Sequence, residues 1–285
     1  MSPASLRIAT RGSPLALWQA NAVAARLGAD AEIVIITTEG DRKTDVPLES
    51  LAGRGVFTTE VQAAVLDGRA DVAVHSAKDL PSAPELQADG LVLASVPERA
   101  DARDCLVGST LDALAQGATV GTGSARREAL LRHLRPDLKF APLRGNIATR
   151  LARVGELDAV VGAVAALTRL GQGDRIAEAF DPDVFVPQVA QGALAVECRA
   201  DDAATRARLA AIDDADAHLC VRAERAFLAQ LGGGCDAPVG AHARLVDGEI
   251  RLVGFYAHHA EQLWWHGRGT DPIAVGASVA RAITA

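Results

Sequence analysis

The sequence lacks the features that identify several large classes of protein. Its 285 residues include four cysteines that lie far apart and form no C-x-x-C pair, so neither a disulfide framework nor a zinc site is predicted. It also lacks a basic excess, since 29 Lys and Arg stand against 36 Asp and Glu, a formal net charge of −7. A surface that tracks nucleic acid normally needs such an excess. We therefore expect no metal site and no nucleic-acid partner.

Long apolar runs are missing as well. Residues 1–30 carry charges inside what would have to be the hydrophobic segment of a signal peptide, so we expect a cytoplasmic protein without membrane contact. Internal repeats and low-complexity tracts are absent too. With 49% hydrophobic residues, the chain is long enough for two or three domains with cores of their own, since domains usually have about 100–150 residues.

The central motif is ADVAVHSAKDLP, residues 70–81. Val72 and Val74 are typical of a buried parallel strand, and polar residues follow them directly. A polar loop at the carboxyl end of such a strand is where open α/β sheets bind ligands, so we place the chemistry at Asp79. The alternative is a helix N-cap, in which Ser76 and Asp79 satisfy free backbone N–H groups.

Arginines recur where predicted strands end. Ser13 is the expected N-cap of a helix over 15–27, with Pro14 in its first position. The segment TGSARR, residues 122–127, starts another helix and suits a carboxylate, because a dinucleotide-binding loop would need a third glycine and an acidic residue. One arginine alone could be a solvated surface charge, but the set predicts a cleft that binds several carboxylates. Its members are Arg11, Arg126, Arg127, Arg144, Arg150 and Arg169, the last in a turn over 167–171 after a strand over 159–165.

The order of the predicted elements indicates an α/β fold. Two α/β units that resemble periplasmic binding proteins are joined by two crossings that form a hinge, with the site between them. We expect the first over residues 1–95 and 189–210 and the second over 96–188. A small C-terminal α+β unit over 214–285 contains a helix over 215–231, short strands over 241–265 with a hairpin at Asp247-Gly248, and a helix near 273–283.

Cys235 differs from the other cysteines in its setting. Cys198 lies in a predicted strand and Cys220 on a predicted helix, whereas Cys235 follows three glycines and precedes Pro238. This setting indicates either a covalent attachment point or nucleophile, or an ordinary buried thiol in a small-residue turn. Two other functions stay open. A cysteine-dependent transferase or hydrolase would leave the arginines unexplained, and a carboxylate-binding module without catalysis would leave Cys235 unmodified.

Seven motifs, in one order along nearly the whole chain, resemble the porphobilinogen deaminases, also called hydroxymethylbilane synthases. They are RIATRGSPLALWQ (7–19), HSAKDLP (75–81), GTGSARR (121–127), LRGNIATRL (143–151), GQGDRI (171–176), PQVAQGALAVECR (187–199) and GGCDAPVG (233–240). The resemblance implies a monomeric transferase. It would join four porphobilinogen molecules head to tail with loss of ammonia, and release the growing oligopyrrole as hydroxymethylbilane for tetrapyrrole biosynthesis.

The resemblance also implies roles for individual residues. Cys235 would hold a dipyrromethane cofactor by a thioether, and Asp79 would be the catalytic carboxylate, with Lys78 acting in both catalysis and cofactor binding. The family usually has Lys where Arg54 stands and Ser where Gly123 stands, so Gly123 is left out of the site. The other implied cofactor-binding residues are Thr122, Ser124, Arg126, Arg127, Arg144 and Gly145, and the implied substrate-binding residues are Arg11, Ser13, Gln19, Arg54, Ser76, Arg150 and Arg169.

Overall fold

The computed structural model describes residues 5–28, 31–38, 57–232, 237–258 and 261–285. In chain order its strands are β1 (Leu6–Arg11), β2 (Ala31–Ile36), β3 (Val72–Ser76), β4 (Leu91–Ser95), β5 (Asp104–Val107), β6 (Thr119–Gly121), β7 (Lys139–Ala141), β8 (Ala159–Ala163), β9 (Ile176–Ala179), β10 (Leu194–Arg199), β11 (Val239–Val246), β12 (Glu249–His258) and β13 (Glu261–Gly269). Its helices are α1 (Pro14–Leu27), α2 (Thr59–Leu66), α3 (Ala125–Leu134), α4 (Ile147–Leu151), α5 (Val164–Arg169), α6 (Ala203–Ala210), α7 (Ala215–Leu231) and α8 (Pro272–Ile283). Short 3₁₀ turns cover Ala77–Asp79, Pro84–Leu86 and Gly173–Arg175.

The first sheet has the strand order β2-β1-β3-β10-β4. β1 is parallel to β2 and β3, whereas β10 is antiparallel to β3 and β4. Strand β3 is buried on both faces, because Val72 and Val74 share a core with Val23 of α1, while Ala73 packs with Val61 of α2. The carboxyl end of this central strand is therefore held rigidly from both sides.

The second sheet repeats this plan with the order β7-β6-β8-β5-β9. β6 is parallel to β7 and β8, and β5 is antiparallel to β8 and β9. The chain passes from β4 to β5 and returns from β9 to β10, so two segments cross between the sheets. The two crossing segments contact each other, since Ala100 N donates a hydrogen bond to Gly192 O at 3.2 Å.

The helix signals at the start of the chain behave as predicted. Ser13 is the N-cap of α1, and its Oγ accepts a hydrogen bond from Ala16 N at 3.3 Å. Pro14 occupies the first helical position, and Gly28 ends the helix with a φ of 58°. These local contacts fix the direction in which α1 leaves β1.

The third unit is an antiparallel sheet, β11-β12-β13, with α7 and α8 on one face. The hairpin at Asp247 and Gly248 is confirmed, because both residues have positive φ, 54° and 78°. The prediction of short strands is wrong, since the strands have 8, 10 and 9 residues. Their length follows from burial on both faces: Leu252 packs with the helices, and Val253 joins the core of the second sheet.

The three units meet at one buried carboxylate, that of Glu224 on α7. This side chain is fully buried and accepts two hydrogen bonds from Arg99, at 2.7 and 3.1 Å. It also accepts the backbone N–H groups of Ala190 at 2.6 Å and Ala243 at 2.7 Å. One carboxylate therefore joins the third unit to both crossing segments.

The α/β class is confirmed, with two five-stranded sheets and a smaller third unit. The residue boundaries of the three domains stay a prediction. The predicted strand over 159–165 is too long, because β8 ends at Ala163 and the chain then turns directly into α5. None of the helices in the described part of the chain is long and apolar enough to cross a membrane.

We predict that Arg99→Ala strongly destabilises the protein, because it leaves the buried Glu224 carboxylate without its cation. Breaking a buried ion pair from one side costs about 3–5 kcal/mol. For a chain of this size we expect Tm to fall by about 6 °C or more in scanning calorimetry. The matched control is Arg251→Ala, because Arg251 lies 3.8 Å from the exposed Asp247 and half of its side chain is exposed. Equal Tm values for the two variants would contradict this account.

Candidate active site

The candidate site starts at the 3₁₀ turn that follows β3. Ala77 N donates to Ala193 O at 3.1 Å, and Leu80 N closes the turn on Ala77 O at 3.3 Å. Lys78 and Asp79 thus project from the carboxyl end of the central strand, as predicted from the sequence. Both side chains are half-buried.

The helix-cap interpretation of this motif is wrong. Ser76 makes no side-chain cap bond, and its Oγ instead accepts a hydrogen bond from Gln19 Nε2 at 2.8 Å. Asp79 is the last residue of the turn, so it does not cap a helix. Two predicted substrate-binding residues, Gln19 and Ser76, are therefore in contact next to the turn.

Lys78 is held by a contact with the crossing segment. Its Nζ donates a hydrogen bond to Gln191 Oε1 at 3.2 Å. Burial lowers the pKa of Lys78 to about 8; Arg127 and Arg126 lower it further, and Asp79 and Asp104 act in the opposite direction. The ammonium is therefore positive below about pH 8, although its surroundings disfavour the charge.

A buried carboxylate on β5 organises the second wall. Asp104 is fully buried, and its Oδ1 accepts from Arg127 Nε at 3.0 Å and Nη2 at 2.7 Å. Its Oδ2 lies 2.8 Å from Nη1 of Arg126, which also donates to Val186 O at 2.6 Å. The two guanidinium groups hold the pKa of Asp104 at about 2, against the effect of burial. Burial lowers the pKa of Arg126.

Arg126 and Arg127 are therefore already paired inside the protein, with 2% and 7% of their surface exposed. Their place at the start of α3 is predicted from the sequence, but their partner Asp104 is not. Ser124 is the N-cap of this helix, and Thr122 Oγ1 accepts from Ser124 N at 3.2 Å. Contact of these four residues with a cofactor stays a prediction.

The connection from β7 to α4 brings further cations to the same place. Gly145 has a φ of 93°, and Arg150 Nε donates to Gly145 O at 2.8 Å. The pKa of Arg150 is lowered by burial and then by Arg127 and Arg144, while Asp79 raises it. The structure thus brings Asp79 of the first unit and these arginines of the second unit within electrostatic reach.

Two further predicted residues are Arg11, on the first sheet, and Arg169, which contacts a crossing segment. Arg11 is the last residue of β1, and its guanidinium lies 4.1 Å from the ring centroid of Phe57. Arg169 is the last helical residue of α5, so its expected place in a turn is wrong. Its Nη2 donates to Gly192 O at 2.7 Å, and burial lowers its pKa to about 10.

Two predicted site residues, Cys235 and Arg54, lie outside the described residues. The next residue in the sequence that the structure describes is Ala237. It lines a small cavity together with Lys78, Leu80 and Leu228. Within the described ranges there is no group of three or more His, Cys, Asp or Glu side chains that could hold a metal ion.

Two residues that link these groups, Asp104 and Gln191, are not predicted from the sequence. Asp104 carries one weak signal, an acidic residue at the head of the strand segment DCLV. Gln191 lies in the motif PQVAQGALAVECR but has no pattern of its own. Its Nε2 donates to Asp104 Oδ1 at 3.0 Å, which joins Lys78 to the arginine pair.

Comparison with known proteins gives consistent matches along the chain. The family model "Porphobilinogen deaminase, dipyromethane cofactor binding domain" matches residues 6–207, and "Porphobilinogen deaminase, C-terminal domain" matches residues 218–285. The porphobilinogen deaminase of Acidithiobacillus ferrooxidans is 45% identical over 295 residues, covering 99% of this chain and 95% of the relative. That of Syntrophotalea carbinolica is 46% identical over 267 residues, covering 90% and 84%.

Among solved structures, the chain is similar to a periplasmic binding protein of Salmonella typhimurium with high arginine specificity. The two are 15% identical, the match covers 74% of this chain and 92% of the other, and the TM-score is 0.38. The sequence matches are far stronger and extend over both family domains. By these matches, the chain belongs to the porphobilinogen deaminase family.

Proposed function

We propose that this chain performs the reaction of its family through Asp79. Lys78 and the surrounding arginines would bind the carboxylates of the cofactor and the substrate, and Cys235 would be the attachment point of the cofactor. The family polymerises porphobilinogen into hydroxymethylbilane for tetrapyrrole biosynthesis, and its cofactor is dipyrromethane. The main observation in support is that Lys78 and Asp79, which follow β3, interact electrostatically with arginines of the second unit. These arginines are Arg126, Arg127 and Arg150.

The charges of the site fit a ligand rich in carboxylates. Five cationic side chains lie within electrostatic reach of one another, and four of them also interact with the carboxylate of Asp79 or of Asp104. Each pyrrole of the cofactor and of the substrate carries an acetate and a propionate group, so such ligands would bring negative charge to these cations. Bidentate guanidinium groups suit these carboxylates well. The cations are Lys78, Arg126, Arg127, Arg144 and Arg150.

The dipyrromethane, when bound, supplies the primer to which pyrrole units are added. Lys78, Arg126 and Arg127 would hold its carboxylates, together with the backbone and hydroxyl groups at Thr122, Ser124 and Gly145. Arg11, Arg150 and Arg169 would hold carboxylates of the incoming substrate. Ser13 Oγ already accepts the cap bond of α1, so in this proposal it contributes to substrate binding mainly by placing Arg11.

Asp79 would act on the reacting pyrrole. When ammonia leaves porphobilinogen, positive charge develops on the pyrrole nitrogen, and a fixed carboxylate beside it lowers the energy of that state. The same carboxylate oxygen can accept the proton that is lost when the new carbon–carbon bond forms. Lys78 and Arg150 are close enough to interact electrostatically with this carboxylate.

The other three cysteines are poorly suited to covalent attachment, which supports Cys235 as the attachment point. Cys105, Cys198 and Cys220 are buried free thiols. Burial raises their pKa to about 12, 11 and 11, so each is a poor source of the reactive thiolate. Free thiols also agree with a reducing compartment, and we place the chain in the cytoplasm as a monomer that binds neither nucleic acid nor membranes.

Asp79→Asn tests the catalytic role. Because the change removes a charge and keeps the shape, we expect the single-turnover rate to fall by about 10²-fold or more, while Tm and KM stay close to those of the parent. Preformed tetrapyrrole supplied to the apo-variant separates cofactor loading from turnover. The matched control is Asp89→Asn, an exposed carboxylate of the same unit. A fully loaded Asp79→Asn protein that reacts within tenfold of the parent rate would contradict the assignment.

Cys235→Ser tests the covalent attachment. Protein made in cells that supply porphobilinogen should be heavier than its sequence by the mass of one dipyrromethane in intact mass spectrometry. We expect Cys235→Ser to lose this increment, whereas Cys105→Ser, Cys198→Ser and Cys220→Ser keep it. An unmodified parent mass, or an increment that survives Cys235→Ser, would refute the attachment at this residue.

A further inference from the structure

We infer that Gln191 is a positioning residue for Lys78, which it holds through its side-chain amide while the other side of the same amide is anchored to Asp104. The role in the reaction rests on the proposed function, because it is Lys78, and not Gln191, that would touch the ligand. The bridge itself depends only on the contacts of the described residues.

The geometry fixes the orientation of the amide. Gln191 Oε1 accepts from Lys78 Nζ at 3.2 Å, and Nε2 donates to Ala102 O at 2.8 Å and to Asp104 Oδ1 at 3.0 Å. A flipped amide would face the ammonium with N–H groups and the carboxylate with an oxygen. Only 1% of the Gln191 surface is exposed, so water cannot replace these partners without rearrangement. All three contacts therefore select one amide orientation.

The backbone around Gln191 is held as tightly as its side chain. Gln191 N donates to Gln188 O at 2.9 Å, and Gln191 O accepts from Arg99 Nε at 2.9 Å. Ala190 has a φ of 59°, which is uncommon for a residue other than glycine. A Cβ at Gly192 would lie 2.5 Å from Ala100 O, so the two crossing segments touch at this point. Gln191 is thus fixed where the two α/β units join.

The side chain of Gln191 suits this position because its amide is uncharged. Lys78 is faced by the carboxylates of Asp79 and Asp104 and by the guanidinium groups of Arg126 and Arg127. Glutamate in place of Gln191 would put another carboxylate within hydrogen-bonding distance of Asp104. An amide oxygen satisfies one N–H of the ammonium without neutralising it, and so leaves the positive charge available to a ligand carboxylate.

The chain offers a direct readout of Lys78, because it contains only three lysines, Lys43, Lys78 and Lys139. Full-length protein labelled with lysine carrying ¹³C at the ε-carbon should give three lysine signals in NMR. Lys43→Arg and Lys139→Arg assign two of them and leave the third to Lys78. Intact mass establishes that all samples carry the same cofactor load, and titration in the alkaline range then gives the midpoint for Lys78.

We expect Gln191→Met to lower this midpoint by about one pH unit, since an unbranched side chain of similar size removes the acceptor that stabilises the ammonium. Gln262→Met is the matched control, because Gln262 is half-buried and donates to Ala129 O at 3.2 Å, far from Lys78 in the sequence. That control should leave the midpoint unchanged. A folded Gln191→Met protein with the parent midpoint would overturn the inference.

A second variant serves if Gln191→Met does not fold. Gln191→Asn keeps an amide but is one methylene shorter, so it cannot reach both Lys78 and Asp104, and the midpoint should fall here as well. An unchanged midpoint in this variant also overturns the inference. Activity separates the two hypotheses: if Lys78→Ala reacts like the parent, the proposed role of Lys78 fails, whereas the shift in the Gln191 variants still demonstrates the bridge.

Discussion

The site depends on one buried carboxylate that is shared by two guanidinium groups. Asp104 is fully buried between Arg126 and Arg127, and unpaired burial of any of these charges would be costly. The pairing is unequal, because Asp104 faces two positive charges and, through Gln191, also the ammonium of Lys78, which Asp79 faces as well. The fold thus stabilises a positive cluster without neutralising it, and the cluster lies where the two α/β units join.

The burial of several charges in one place also explains why the pKa values in this cluster are shifted. Burial disfavours the charged forms of Lys78, Arg126 and Arg150, and their mutual repulsion adds to that effect. The negative charge of a ligand with several carboxylates would offset both effects. The arginines therefore act together as one cationic surface and not as independent contacts. The positions of β5, α3 and the crossing segments determine its geometry.

Features encoded in short stretches of sequence could be predicted. The Ser13 cap, the Asp247-Gly248 hairpin and the strand that leads into Lys78 and Asp79 all follow from neighbouring residues, and the structure has each of them. Contacts between distant residues could not: Arg127 and Asp104 are 23 positions apart, and Gln191 and Asp104 are 87 apart. Periodicity carries no information about such pairs. The start of α5 was missed for a related reason, because the segment AVAALTR suits a buried strand and a buried helix equally well.

The most direct test of the account is the uptake of protons when a carboxylate ligand binds. The protein is used without its cofactor, so that the ligand can reach Lys78. A pyrrole with acetate and propionate side chains but no aminomethyl group binds without reacting, and calorimetry in buffers of different ionisation enthalpy counts the protons. With the pKa of Lys78 at about 8, a return to its ordinary value on binding requires uptake of roughly 0.7 proton at about pH 8.5 and almost none near pH 6.5. We expect the uptake at pH 8.5 to disappear in Lys78→Arg. Binding without proton uptake at either pH would contradict the claim that an incompletely neutralised cation cluster recognises the ligand.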